Sequence, residues 1–309
     1  MLRTFLIAFI MIVHHNKILS QCWKDIYCGE DFTLAISDDN KCWAWGDNYI
    51  NQFSNGDFFK SFNPEMIGEF VGWVKDSQDK IAIVKNENGE FFIYNKAFFL
   101  GDHDVKSKEW KYISRKGDFT IGIKKDGTLW SWGDNAFGSL GDGTKVNSQV
   151  PKRIGKDKDW LSISAGWRHT LALKKDGSLW SWGNNGYGEL GYKGILSQII
   201  PRQIEGDDLV GWISLDAATS SFGIKKDGSL WAWGYNGNGE LGIGNKLSSN
   251  GPRQIGQEKG WKKISAGRSH VAAIKNNGTL WIWGYNSHGQ LGVWNLTEAM
   301  TPVEVLCPK

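Results

Sequence analysis

Proline is scarce in this 309-residue chain, at 6 residues, and cysteine and methionine stand at 4 each. Neither sign of charge dominates, with 36 Lys and Arg against 33 Asp and Glu. Each shortage argues against a class of protein. So few prolines beside 39 glycines without a Gly-X-Y period argue against a collagen-like chain. A formal charge of +3 argues against the basic surface that captures nucleic acid through its phosphates. The cysteines form no C-x-x-C pair and share no repeat unit with two histidines, so a zinc site is not expected. Spanning a bilayer takes roughly 20 apolar residues. The unbroken apolar run from Phe5 to Val13 stops at nine.

That run follows Arg3, and the pair has the shape of a signal peptide: a positive start, then a short apolar stretch. Ile18-Leu19-Ser20 offers a cleavage site, and Gln21 is not the small residue that precedes a lipid-anchored cysteine. The expected organisation is a removable leader over 1–20 and one domain over 21–309, exported to a periplasmic, secreted or cell-surface location. Losing Arg3 and Lys17 with the leader brings the mature chain close to neutral. Capture by anionic membranes or nucleic acid is then not expected.

What the chain has in abundance is tryptophan: 18, against 15 Phe and 8 Tyr. The indoles are periodic. DGTLWSWGDNAFGSLG (126–141), DGSLWSWGNNGYGELG (176–191), DGSLWAWGYNGNGELG (227–242) and NGTLWIWGYNSHGQLG (277–292) are copies, with Trp130, Trp180, Trp231 and Trp281 spaced by 50, 51 and 50. NKCWAWGDN (40–48) is a fifth copy, and NGEFFIYN (88–95) is a sixth with Phe92 and Tyr94 in place of the indoles. A second tryptophan opens each unit at 23, 73, 110, 160, 212 and 261. Pro64, Pro151, Pro201 and Pro252 precede the next opener by 9 to 11 residues, and Pro302 has the same place in the last unit. The unit opening at Trp73 is short, 37 residues against 49–52.

Within a unit, WLSISAG reads as a strand, and HTLALKKDGSLWSWG as a hairpin turning at Asp-Gly. Period-two spacing puts Trp180 and Trp182 on one strand face. The Gly-rich stretch supplies a tight connection, and the Pro-led segment supplies an edge strand, where a missing N–H costs nothing. Four short strands per unit, repeated in tandem, specify an all-β propeller. Six openers favour six blades, with seven as the alternative. Pro302 is followed by seven residues. Joined to Gln21-Cys22-Trp23, they restore a spacing of 10 to the next opener. The expected closure is therefore pairing of the N- and C-terminal strands, which removes the open edge. The same junction brings Cys22 and Cys307 within three residues, where an exported protein can bond them. Cys28 and Cys42 align with core positions and read as two buried thiols or a second disulfide.

The pattern S-A-G-x-x-H-T-L-A-L…D-G-x-L-W-x-W-G-x-N-x-x-G-x-L-G resembles the repeat of the regulator-of-chromosome-condensation family. The resemblance covers Trp23 to Lys309, strongly from Trp110 and weakly over 50–109. It implies a propeller, most often of seven blades. From the founding member it implies guanine-nucleotide exchange on a small GTPase, and from secreted relatives it implies binding that caps an enzyme. Exchanging members of the family use a hairpin wedge inserted in one blade, for which units of 49–52 residues leave no room. The basic tail of chromatin-binding members is replaced here by the apolar leader. No exchange residues are carried over.

Little in the chain points to catalysis. Ser164, His169 and Asp176 are the constituents of a nucleophilic triad, but His169 aligns with Phe32 and Phe119, as a core histidine would. Asp126, Asp176 and Asp227 precede turn glycines, where aspartate shapes the turn. Lys124-Lys125, Lys174-Lys175, Lys225-Lys226 and Lys275 recur at that turn, as a basic rim or as solvated turn residues. Sixteen of the 18 tryptophans belong to the repeat. Burying each is worth about 4–6 kcal/mol at 25 cal/mol per Å², so these indoles are architecture. Two remain, Trp167 and Trp294, both in connections, and Arg168 follows the first. Phe137, Tyr187, Asn238 and His288 vary at one point of four Gly-rich loops. Trp167, Arg168, Trp294, Phe137, Tyr187 and His288 are therefore the candidate partner-binding residues, on a monomeric protein-binding module without cofactor, metal or catalytic set. Nucleotide exchange is the alternative.

Overall fold

In a computed structural model of the protein, residues 22–48, 60–74, 81–85, 91–94, 109–206 and 211–308 are described, with 70–74, 81–85 and 91–94 as backbone alone. The expected leader, residues 1–20, lies outside the described residues.

Each unit becomes an antiparallel meander. The third blade shows the logic: β11 (Trp160–Ala165), β12 (His169–Lys174), β13 (Leu179–Asn184) and β14 (Ser197–Gln203) pair in that order. The second blade is β7 (Trp110–Lys116), β8 (Phe119–Lys124), β9 (Leu129–Gly133) and β10 (Ser148–Ile154). The fourth is β15 (Trp212–Ala217), β16 (Ser220–Lys225), β17 (Leu230–Gly234) and β18 (Ser249–Gln254). The fifth is β19 (Trp261–Ala266), β20 (His270–Lys275), β21 (Leu280–Tyr285) and β22 (Glu298–Val305). The inner strands β7, β11, β15 and β19, with β1 (Trp23–Cys28) of the first blade, line one channel.

The blade count differs from the six expected. β1, β2 (Phe32–Ser37), β3 (Lys41–Gly46), β4 (Ser61–Val74), β5 (Ile81–Lys85) and β6 (Phe91–Tyr94) form one continuous sheet. The described residues thus make five sheets, and the unit opening at Trp73 extends the first. Sequence explains the fusion. After their outer strands the other blades carry polar breaks, such as Ile154-Gly155-Lys156-Asp157. Ile67-Gly68-Glu69 begins alike but is followed by Phe70-Val71 in place of Asp157-Lys158, and β4 runs on for 14 residues.

Closure also differs from expectation. Among the described residues β22 pairs only with β21, and β1 only with β2, so no strand is shared between the termini. Each of these blades completes itself, and the two pack as ordinary neighbours. The Trp23 backbone N–H donates to Gly278 O at 3.1 Å, and its indole Nε1 donates to Val305 O at 3.3 Å. The expected Cys22–Cys307 disulfide then ties the ends, with Cα atoms 6.1 Å apart. The second suggested disulfide is absent: Cys28 and Cys42 are both free and buried, and burial pushes each thiol up to about 12.

Tryptophans fill the blades as the register implies. Trp160 meets Trp180 edge-on at 5.7 Å and Trp182 at 6.1 Å, and like trios recur around Trp23, Trp110 and Trp212. The second indole of a pair also stitches blade to blade. Trp182 donates to Ser139 O, Trp283 to Glu240 O and Trp45 to Gln290 O, the last across the junction of the termini. The glycine after each pair is obligatory. Gly183 has φ +105°, and a Cβ there would lie 2.5 Å from Arg168 O.

Candidate functional site

The strands set up two opposite ends. At one end lies the Lys-Asp-Gly hairpin, where a relay recurs in four blades. Asp126, Asp176, Asp227 or Asn277 accepts from the hydroxyl of Thr128, Ser178, Ser229 or Thr279, which in turn accepts from the indole of Trp130, Trp180, Trp231 or Trp281. These bonds hold the Asp126, Asp176 and Asp227 carboxyls below the usual carboxylate range, with Lys259 the largest cause at Asp227. The basic-rim reading of the lysines is corrected here for the first of each pair. Lys124, Lys174, Lys225 and Lys275 lie over those indoles at 4.3, 4.5, 3.9 and 4.1 Å. Three of them also meet a carboxylate: Lys124 with Glu109, Lys174 with Asp157, and Lys275 with Glu258. Stacking and ion pairing absorb these cations into the scaffold. Lys125, Lys175 and Lys226 remain exposed.

At the other end the inner turns meet the Gly-rich loops. The inner turns link side by side: Trp167 N–H donates to Ala218 O at 3.0 Å, Thr219 Oγ1 to Arg268 O at 2.8 Å, and Arg268 N–H to Glu30 O at 3.2 Å. Each Gly-rich loop is braced by a buried asparagine. Asn135, Asn185, Asn236 and Asn286 accept from the N–H of Leu140, Leu190, Leu241 and Leu291 at 2.8–3.0 Å, and donate to carbonyls of their own loops. An amide satisfied at both ends can hold a loop rigid without strand pairing. The sequence carried the signal, an asparagine at one place in every Trp-Gly-x-Asn, although its role is visible only in the fold.

Between the third, fourth and fifth blades these turns and loops enclose a cleft of about 550 Å³. Trp167 and Arg168 line it from the third blade's inner turn, Thr219 and Arg268 from the next two turns, and Tyr187 and Tyr235 from two Gly-rich loops. The tyrosine rings meet edge-on at 4.9 Å. Glu189 sits in the wall, taking Tyr187 N–H and Asn184 Nδ2, each at 2.8 Å. Burial raises its pKa, against those hydrogen bonds, and burial also raises that of Glu240.

Three of the six candidate residues, Trp167, Arg168 and Tyr187, therefore meet in one place. Phe137 joins them indirectly, with the Arg168 guanidinium 4.4 Å over its ring. His288 lies outside the cleft lining, with Nδ1 4.0 Å from Asp31 Oδ1. Trp294 is also outside the lining, 74% exposed on the loop between β21 and β22. Tyr235, Thr219 and Arg268 were not singled out by the sequence. Arg268 occupies the turn position of Trp167, one blade pair away, and register comparison of the inner turns would have found it.

The triad constituents lie apart. His169 is buried with Nε2 2.9 Å from Ser221 Oγ, and burial, with Lys116 nearby, pushes its pKa down to about 3. Ser164 Oγ donates to Asp216 in the channel, while Asp176 closes the hairpin turn at the opposite end.

A ring of Trp-rich antiparallel sheets, with a cleft among its loops, defines a β-propeller. The regulator of chromosome condensation repeat matches at 126–173, 176–218 and 227–274, and a second model of it at 23–52, 111–139, 160–189 and 261–290. The chain belongs to that family. It is 27% identical over 271 residues to the ultraviolet-B receptor UVR8 of Arabidopsis thaliana, covering 81% of this chain and 50% of the receptor. It is 29% identical over 151 residues to the human E3 ubiquitin-protein ligase HERC2, 42% of this chain and 3% of the ligase. The chain thus spans half or less of these relatives. Human WBSCR16 shares the fold with TM-score 0.62 and 22% identity, over 94% of this chain and 84% of that one. Yeast RCC1 (Prp20), solved with Kap60, does so with TM-score 0.63 and 22% identity, over 92% and 74%.

Proposed function

We propose that this protein is a non-enzymatic binding module that holds a protein partner in the loop-end cleft. The observation that carries this reading is the convergence of Trp167, Arg168, Tyr187, Tyr235 and Arg268 on one cavity. Aromatic residues and arginine dominate binding hot spots; here the tyrosines stand on loops braced by buried asparagines, and Trp167, Arg168 and Arg268 on inner turns tied to their neighbours by backbone hydrogen bonds. Relatives of the same fold bind proteins: one solved structure concerns the binding of yeast Prp20p to Gsp1p and histones. Guanine-nucleotide exchange is the weaker reading, since no blade among the described residues carries the inserted hairpin wedge that it would need.

Export belongs to the same proposal. The Cys22–Cys307 bond supports it, because disulfides persist in oxidising compartments. Mass spectrometry of the natural protein should show loss of about 20 residues, as a signal peptide predicts. An intact Met1 would refute export. Affinity capture with the mature protein tests the cleft: Trp167→Ala and Tyr235→Ala should lose the partner while staying folded at the assay temperature, Trp167→Ala with a lowered melting temperature because the indole packs on the core. Capture that survives both changes would refute the binding reading.

A further inference from the structure

We propose that the cleft takes an acidic peptide segment with one apolar side chain, its carboxylates gripped by Arg168 and Arg268 and its apolar group covered by Trp167, Tyr187 and Tyr235. The inference rests on the loop-end binding reading and names the chemistry of its partner.

Charge around the channel mouth is sorted by blade. The inner turns of the first two blades carry Glu30, Asp31 and Asp118. Those of the third to fifth carry Arg168, Thr219 and Arg268, and the cleft lies over these three. Both arginines are exposed. Among the described residues the Arg268 guanidinium has no ion pair or hydrogen bond, and Arg168 has only the Phe137 ring. The lysines at the other end behave differently: Lys124, Lys174, Lys259 and Lys275 each hold a carboxylate. Among the described residues, four lysines at the structural end are thus paired with carboxylates, and neither of the two cleft arginines is so paired.

A further cation lies below. Lys116 is buried and donates to Ala217 O and Ala266 O at 2.5 and 2.8 Å. It lies near enough to His169, a residue of the cleft lining, to disfavour a proton there. Two carboxylates oppose this field. Glu189 is turned into its own loop, where Tyr187 N–H and Asn184 Nδ2 occupy it. Glu30 stands at the edge nearest the acidic turns and marks where the segment's negative charge must end.

Arginine presents a planar fork of donors matched to a carboxylate. A cleft of about 550 Å³ is within the range of sites that enclose a compact ligand. Trp167, Tyr187 and Tyr235 give it an apolar wall for a side chain of leucine size. Charge complementarity therefore selects an acidic segment over a basic or neutral one.

The test is fluorescence polarisation on the purified, oxidised full chain. The probes are a fluorescein-labelled peptide of four glutamates around a central leucine, its four-lysine and four-serine counterparts, and labelled oligothymidine. The acidic peptide should bind saturably and lose affinity as salt rises. The double charge reversal Arg168→Glu with Arg268→Glu should weaken it about tenfold or more and confer binding of the lysine peptide. Both sites are exposed, so the melting temperature should hold. Glycine in place of the central leucine should weaken binding, as should Tyr235→Ala. The proposal is overturned if no peptide binds, if the acidic and lysine peptides bind alike, or if charge reversal has no effect. Tighter binding of oligothymidine overturns it too, as does sedimentation showing a second copy held on this face by the two arginines. Where these results coincide with capture of a natural partner that still depends on Trp167, only the acidic assignment fails.

Discussion

The two ends of each blade obey different rules. At the hairpin end the third blade carries Lys174, Asp176, Ser178 and Trp180, and the fourth carries Lys225, Asp227, Ser229 and Trp231 in the same contacts. At the loop end only the scaffold repeats. Asn185 and Asn236 brace their loops alike, yet the inner turns present Trp167-Arg168 in one blade and Thr219 in the next. Repetition marks what every blade must solve, which is to bury its indoles and join its strands. Variation marks what only some blades are asked to do. The difference separates the repeated architecture from the parts that vary more sharply than residue type does, since tryptophan, arginine and lysine occur at both ends or between them.

This contrast can be broken by experiment, and the largest effect falls on the bond between the termini. Replacing Cys22 and Cys307 by serine releases a loop of 285 residues. Chain entropy then predicts a loss of up to about 5 kcal/mol. Hydrogen bonds such as Trp45 to Gln290 O should keep the mutant folded, with a lower midpoint in guanidinium. Next, Trp182→Ala should cost about 3–5 kcal/mol, because it opens a cavity and removes one of the two hydrogen bonds to Ser139 O, the other coming from Thr170 Oγ1. The same change at Tyr187, 55% exposed at the loop end, should stay within about 0.5 kcal/mol. Equal losses would erase the distinction.

A smaller effect concerns pH. His169 stays neutral in the fold down to about pH 3, whereas the unfolded chain takes its proton near 6.5. The unfolded state therefore binds more protons between those values, and stability falls as pH falls through that window. The loss at His169 should reach roughly 3 kcal/mol by about pH 4. His169→Phe, the residue found at Phe32 and Phe119, should flatten that part of the curve in denaturant titrations. An unchanged slope would mean that the imidazole is not the sensitive group.

Much of this was legible before the fold. Periodicity of Trp and Pro gave the blades and their strands, and the Cys22–Cys307 proximity followed from reading the chain as a ring. The blade count did not follow, because apolar Phe70-Val71 follows Gly68-Glu69 and β4 runs through the boundary expected at Trp73. Nor did the manner of closure. A matching Pro-to-Trp spacing shows that the ends are neighbours, but it does not distinguish a shared strand from two packed blades. At the candidate site, Trp167, left over from the repeat, and Tyr187, at a varying loop position, line the cleft. Trp294 satisfied the same criterion and lies outside the cleft, because a residue freed from the repeat can face in any direction. Arg268 escaped notice because an arginine beside a turn glycine has no singular pattern. Its meaning arises only when three blades bring their turns together.

The most direct measurement compares partner capture by two variants of equal mutational load. One carries Trp167→Ala, Arg168→Ala and Arg268→Ala in the cleft. The other carries Lys125→Ala, Lys175→Ala and Lys226→Ala at the hairpin end. With both folded at the assay temperature, the first should lose the partner and the second should retain it. Loss by the hairpin variant with retention by the cleft variant would contradict the account.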